Sequence, residues 1–383
     1  YYNYLIMLSV SGLLISGLRS GFVNLYSSYL LSNKLSELEI YNVSSLIIFF
    51  AGVVYVPIFF LVLPFVYSLN LSDIYSVFPL FILYILLTLK SSLYIAQLVS
   101  QKKFVTSEFA TLINPVLPII IYIGSTFLEV KLNLFILVSV LLIGAVSEYS
   151  YLYYKTKRIL FKLNFSLNFS EIKYLKEILF LFFSSIILSL MTLVDVYFAS
   201  NLSSGDVSLL LTSSKFIAFG IGVLSSSVGI MIIPYLAEAY LISINYFIKF
   251  INKVLIYTFL TCIIILTFAY FLIPEIIPLL FKSETISSLD IDYLVSYILV
   301  GLPIIPLSLI GLILSRGMIS LGISKKMIAI NIIALAINIV SDYFLVKEYS
   351  VVGLILSTSV VYLWTSLSMY WAIRLKTKKI KDN

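Results

Sequence analysis

Hydrophobic positions in this chain run in long unbroken blocks rather than alternating with polar ones. Eleven such blocks fall at about 4–30, 43–69, 74–99, 104–128, 132–154, 177–200, 207–236, 253–281, 293–315, 327–346 and 350–373. Each is about as long as the roughly 20 residues a helix needs to cross a bilayer. Inside hydrocarbon every backbone N–H and C=O must be satisfied within the protein, so a spanning segment is either a helix or part of a closed barrel. A barrel strand alternates lipid-facing and lumen-facing residues. These blocks do not alternate, and the pattern therefore predicts an all-α polytopic membrane protein. Pro57, Pro64, Pro115, Pro118, Pro234, Pro274, Pro303 and Pro306 fall inside or at the ends of blocks. Neighbouring helices tolerate such kinks, so local packing is the simplest account of each.

The polar positions between the blocks set orientation. Lys34, Lys102, Lys103, Lys155, Lys157, Arg158, Lys162, Lys173, Lys176, Lys249, Lys253, Arg316, Lys325, Lys326, Arg374, Lys376, Lys378, Lys379 and Lys381 fall on one side, 19 in all. Only Lys131, Lys282 and Lys347 fall on the other. By the positive-inside rule the richer side is cytoplasmic, which places the C-terminus inside and Tyr1 outside. The chain opens on Tyr1 directly in an apolar block, with no charged n-region or cleavage site. We expect one further helix ahead of it, for a total of twelve.

The longest basic connection divides the blocks. Residues 1–155 form an N-terminal lobe of five helices, incomplete at its start. Residues 156–176 form a basic amphipathic linker suited to the inner membrane surface. Residues 177–374 form a C-terminal lobe of six helices, and 375–383 a basic cytoplasmic tail. A weak internal repeat runs across the division. Ser100-Gln101-Lys102-Lys103 precedes a block carrying Asn114, and Ser324-Lys325-Lys326 precedes one carrying Asn338, at the same separation. Transporters are commonly built from such repeats.

Composition removes several function classes. Hydrophobic residues make up 61% and charged residues 11%, against about 25% charged in soluble domains. There is no histidine, and Cys262 is the only cysteine. Disulfides within the chain, zinc and haem sites, and Cys/His nucleophile chemistry lose their usual residues. The net charge of +7 lies scattered in short connections, not in a patch that would bind nucleic acid. No phosphate-binding G-x-x-x-x-G-K-[ST] loop or dinucleotide fingerprint occurs. We expect no catalytic residues, no metal and no resident cofactor, with energy drawn from the membrane potential, a Na⁺ or H⁺ gradient, or the substrate's own distribution.

Three cations remain inside blocks: Arg19, Lys90 and Lys215. A cation in hydrocarbon costs several kcal/mol and normally faces a polar cavity or a partner. Arg19 lies too deep for easy snorkelling, Lys215 lies part-way in from the outer end of its block, and Lys90 has partial access to the inner surface. Asp195 is the clearest acid inside a block, read either as an ion-coupling group or as the partner of a nearby cation. Three interior cations against one acid suit an anion, and Arg and Lys neutralise phosphate oxygens by charge-assisted hydrogen bonds. Carboxylates or inorganic anions fit the same balance. Gly222, Gly229 and Pro234 mark one block as able to bend.

The stretch from Asp195 to Glu238, DVYFASNLSSGDVSLLLTSSKFIAFGIGVLSSSVGIMIIPYLAE, resembles the seventh and eighth helices of the MurJ/MviN family of lipid II flippases. The resemblance rests on Gly205, Val207 and Ser208, then Lys215, Gly222 and Gly229, then Pro234 and Leu236. Gly301 to Tyr370, with Lys325, Asn338 and Gly353-Leu354, resembles the family's tenth to twelfth helices, and Gln97–Asn114 is similar as well. The likeness covers helices two to twelve. It implies the two-lobe MATE-type fold of the multidrug/oligosaccharidyl-lipid/polysaccharide superfamily, alternating access, a cationic cavity for a lipid diphosphate and a lipid-facing groove for its polyprenyl tail. Lys215 takes the place of a family arginine proposed to bind diphosphate. Arg19 lies near, but not on, a family arginine position, and Lys90 has no counterpart. The family's first helix and its two further C-terminal helices have no match in this sequence.

The function expected is therefore a flippase for undecaprenyl-diphosphate-linked saccharide in a bacterial-type inner membrane. The cargo is lipid II or, on a Wzx-like reading, another polysaccharide precursor. Its partners are the lipid-linked saccharide and membrane lipids, not nucleic acid. The alternatives are a MATE-type ion-coupled exporter of small cations, which calls for cavity carboxylates, and a membrane saccharide polymerase, which calls for large outer loops.

Overall fold

A computed structural model of the chain describes residues 22, 26, 36–52, 71–127, 134–156, 167–202, 205–281 and 287–382. These residues are helices joined by short turns. Among the described residues, eight helical stretches are long and apolar enough to cross a membrane. The chain divides into two compact units, Tyr1–Phe182 and Phe183–Asn383.

Unit 1 contains α1 (Glu37–Phe50), α2 (Leu71–Ser100), α3 (Phe104–Phe127), α4 (Leu134–Lys155) and the start of α5 (Phe169–Ala199). α1 starts at a capping box. Ser36 Oγ accepts from the Glu39 N–H at 3.3 Å, and the Glu39 carboxylate accepts from the Ser36 N–H at 2.7 Å. This pairing satisfies two of the donors every helix start leaves free. It also holds the Glu39 carboxyl below its usual range. At the start of α5 the Asn168 N–H donates to the Glu171 carboxylate at 2.7 Å. Glu171 also accepts from Asn42 of α1 at 3.3 Å, and Tyr174 is fully buried one turn on. α4 packs against both α2 and α3.

The sequence pattern placed residues 169–176 in a surface linker. In the structure they are the first two turns of α5 and continue straight into the apolar stretch. Residues 157–166 of that stretch lie outside the described residues.

Unit 2 contains the rest of α5, α6 (Asp206–Ile242), α7 (Ile244–Leu280), α8 (Ser288–Gly301), α9 (Ile304–Ser320) and α10 (Lys325–Asp382). α6 starts after Gly205, whose φ of 103° is a left-handed conformation that glycine adopts without cost. α9 is the central element and packs against α6, α7 and α10. Its buried face joins Leu210 and Ile217 of α6, Cys262 of α7, and Leu354 and Ile355 of α10 in one apolar core.

Two features depart from the block pattern. The block at 293–315 is not one helix but α8 and α9, broken at Leu302-Pro303. There the Leu302 N–H returns to the Leu299 carbonyl at 3.3 Å, and the Ile305 N–H to the Leu302 carbonyl at 3.1 Å. Gly301 sits against Ile217 and Ile355, leaving no room for a side chain. The blocks at 327–346 and 350–373 are joined without a loop: α10 reverses at Ser350, with φ 50° and ψ −129°. Gly353, just past the reversal, meets the backbone of Leu345 and Val346, and a Cβ there would run into the Leu345 carbonyl. The block at 4–30 lies almost wholly outside the described residues, and α1 covers only the start of that at 43–69.

Candidate functional site

Unit 2 holds a buried polar cluster where α5 meets the two arms of α10. Asn338 is 1% exposed and donates through Nδ2 to Asp195 Oδ1 at 3.0 Å. One turn further along, Asp342 is fully buried. Neither Asp342 carboxylate oxygen has a hydrogen bond of normal length, although the Asp195 carboxyl and the Ser357 hydroxyl face it. Ser357 shares a hydrogen bond with Ser341 at 2.8 Å. Thr358 and Tyr362 complete the surround of Asp195. A second link between the same helices lies lower down, where Asn331 Nδ2 donates to Ser184 Oγ at 2.7 Å.

The local sequence explains this convergence. Asn338, Ser341 and Asp342 are spaced i, i+3 and i+4 and so share one face of a helix. The reversal at Ser350 folds Ser357 and Thr358 back onto that face. Apolar contacts of Met191 with Ala334 and Val361 hold α5 alongside. Two carboxyls side by side away from water repel, and one buried charge already costs several kcal/mol. The arrangement calls for a neutralising cation, either a proton shared between the carboxyls or a small hard metal ion that takes oxygen ligands. Among the described residues, no cation bonds to either acid.

Unit 1 carries a related contact. Asn114, the repeat partner of Asn338, donates through Nδ2 to Glu148 Oε2 at 2.9 Å. Glu148 is 1% exposed. Gly144, one turn before it, lets α3 approach closely: a Cβ there would lie 2.5 Å from the Asn114 carbonyl oxygen. Pro118 has no N–H to give that carbonyl, so α3 presents an unusually open backbone at the crossing.

The residues expected to bind an anion are placed as follows. Lys215 is exposed on α6, away from the face carrying Leu210, Ser213 and Ile217. Ser208 and Gly222 are exposed as well, and spaced seven residues to either side they share the Lys215 face. Lys90 is half-buried, with Nζ 5.1 Å from the centre of the Tyr149 ring. Arg19 lies outside the described residues. α6 runs as one helix through Gly222, Gly229 and Pro234.

Asp195 is not the lone interior acid. Asp342 stands beside it, and Glu148 is buried in unit 1. The i, i+4 spacing of Asn338 and Asp342 is the sequence signal for the first, although Asp342 lies near the end of its block. Arg316, assigned to the aqueous side, is within α9, and its Nε is buried without a hydrogen-bond partner among the described residues.

The fold is that of MATE-type membrane transporters. An outward-facing multidrug resistance MATE family transporter of the MOP superfamily superposes with a TM-score of 0.79 at 13% identity, over 100% of this chain and 89% of that one. The Vibrio cholerae MATE transporter VcmN in its bent form gives 0.72 at 14%, over 98% and 88%. A MOP superfamily transporter from Pyrococcus furiosus, described as having a binding pocket of reverse polarity, gives 0.68 at 14%, over 97% and 86%. Within this class the chain belongs to the lipid II flippase MurJ family, whose model matches residues 13–383. No curated protein matches the sequence.

Proposed function

We propose that this protein flips an undecaprenyl-diphosphate-linked saccharide, lipid II or a related polysaccharide precursor, by alternating access. The observation that carries this reading is the family match over residues 13–383. Lys215 receives the diphosphate on the exposed face of α6, with Arg19 as a second ligand, and Lys90 helps to draw the headgroup in. Lysine supplies the charge without the planar fork of arginine, so diphosphate is held by point-charge attraction more than by bidentate hydrogen bonds. Bending of α6 at Gly222, Gly229 and Pro234 accommodates the change of access. The membrane is the bacterial-type inner membrane with the C-terminus cytoplasmic, as the 19-to-3 distribution of cations favours.

The Asp195–Asn338–Asp342 cluster supports coupling to a monovalent cation, Na⁺ or H⁺. A cation that binds one state of a two-state carrier more tightly shifts the population toward that state. The same cluster favours the second reading, a MATE-type ion-coupled exporter of small molecules, since it supplies carboxylates such an exporter needs.

The deciding experiment expresses the protein in cells depleted of their own lipid II flippase and measures lipid II on the outer face. Rescue that is lost with Lys215→Ala supports the flippase. Rescue that persists unchanged in Lys215→Ala removes that residue from the substrate path. Failure to rescue, with the protein confirmed in the membrane, moves the assignment to another saccharide lipid or to the exporter reading.

A further inference from the structure

The last arm of α10 continues as helix well past any hydrocarbon boundary. At about 1.5 Å per residue, the stretch from Val351 to Trp371 spans roughly 30 Å, the thickness of the hydrocarbon core. Trp371 therefore falls at the interface, where amphipathic aromatic rings concentrate, and it is 67% exposed. The helix then runs on to Asp382 through the headgroup layer.

This extension is fixed to the body of unit 2. Ala372 and Ile373 are buried, and Thr377 is 1% exposed with its hydroxyl bonded to the Arg374 carbonyl at 3.0 Å. The opposite face is open. Trp371, Arg374, Leu375, Lys378, Lys379 and Lys381 are all exposed, and their spacing of three, four and seven residues sets them along one side. Asp382 is the one acid among residues 351–382. Arg374 is pre-set: its Nε and Nη2 donate to the Tyr370 hydroxyl at 2.9 and 2.6 Å, which leaves Nη1 outward. Ile373 and Phe247 both lie against Gly317, so the start of α7 reaches the same end. It adds exposed Lys249 and Lys253.

The geometry points to this face as a docking surface for anionic phospholipid headgroups, with Trp371 and Leu375 in the acyl boundary and the cations on the phosphates. Charge complementarity selects the occupant. A cluster of cations next to a membrane span gains about 1 kcal/mol per residue from an anionic leaflet, and nothing comparable from zwitterionic lipid. Here the cations sit on a helix fixed to the body of unit 2, so little backbone freedom is lost on contact. The inference does not depend on which substrate is carried.

The sequence offers a direct probe, because its two tryptophans are Trp364 and Trp371. The full chain carrying Trp364→Phe is placed in vesicles of phosphatidylcholine and phosphatidylglycerol, with either lipid brominated on its acyl chains in turn. Trp371 fluorescence is expected to report about a fivefold preference for the anionic lipid at low salt, the effect of roughly one lysine. That preference should collapse at high salt and in Arg374→Gln/Lys378→Gln/Lys381→Gln, whose changes touch no buried side chain. Equal quenching by the two lipids overturns the inference, as does a preference that survives both salt and the triple substitution. The salt titration uses unaltered cations, so it decides the matter even if the triple variant folds poorly.

Discussion

Asn114 in unit 1 and Asn338 in unit 2 each follow a short basic turn at the same offset, and each gives its amide to a carboxyl. What surrounds the two pairs differs. Glu148 approaches Asn114 from the next helix, α4, across the close contact at Gly144. Asp195 approaches Asn338 from α5, and Asp342 joins it from the asparagine's own helix with no normal hydrogen bond of its own. Unit 1 thus has a hydrogen-bonded pair and unit 2 two neighbouring carboxyls. The comparison teaches that the asparagine is a donor in both, while the number and origin of the acids differ, and the proposed cation coupling rests on that difference.

The largest expected effect separates these roles. Asp195→Asn and Asp342→Asn should each abolish dependence of transport on Na⁺ or pH in proteoliposomes and slow it by about 5- to 150-fold, the range of a site-to-site coupling free energy. Glu148→Gln should leave the cation dependence in place. Equal losses from all three would erase the distinction drawn here.

Next come the two close crossings. Gly353→Val forces a side chain into the backbone of Leu345, and Gly144→Val into that of Asn114. Overpacking of this kind costs about 1–3 kcal/mol, and a lowered thermal midpoint in detergent is the readout. A Gly353→Val protein as stable as the parent would mean the arms of α10 are not held this closely.

The carboxyls themselves give a sharper contrast of sign. Glu148→Ala strands the Asn114 amide and should destabilise by about 1–3 kcal/mol. Asp342→Ala relieves the crowding of two carboxyls and gives up only the contact with the Ser357 hydroxyl, so stability should stay level or rise in the absence of cation. Chemical denaturation of both variants compares them directly, and a destabilised Asp342→Ala would show that its carboxyl is a structural ligand after all.

The smallest effect concerns helix starts. α1 opens on the Ser36–Glu39 box, whereas α6 opens on Gly205 without a side-chain cap. The folded carboxyl of Glu39 titrates below the ordinary 4.5 because Ser36 donates to its charged form. Its contribution is therefore complete above that value and is lost as pH falls through the folded one. Acidification should loosen the start of α1 in hydrogen exchange while that of α6 is unchanged, and Glu39→Gln should remove the pH dependence.

Most of the helices were legible in the sequence because a bilayer imposes length and continuity on anything that crosses it. Where packing rather than the solvent decides, the pattern was silent. Residues 301–303 lie between apolar flanks and read as one kinked span, yet Pro303, with no N–H to give the Leu299 carbonyl, marks a full break between α8 and α9. Ser350 carries no loop signature, and the reversal depends on Gly353 meeting the opposite arm. The candidate site was half legible. Lys90, Lys215 and Asp195 stood out as charges within apolar blocks. Asp342 and Arg316 did not, because each lies near a block end where water is the default neighbour, and only the folded arrangement buries them.

The broken span bears on how the chain is made. α8 has 14 residues and α9 has 17, so at about 1.5 Å per residue each falls short of a roughly 30 Å hydrocarbon core. α8 is too short to span alone, and α9 lies at the lower limit of a spanning helix. Together they form one apolar 33-residue segment, Ser288–Ser320. Ile217 of α6, a helix synthesised earlier, covers Gly301 beside the break, so part of the surface against which α8 and α9 pack is made before they are.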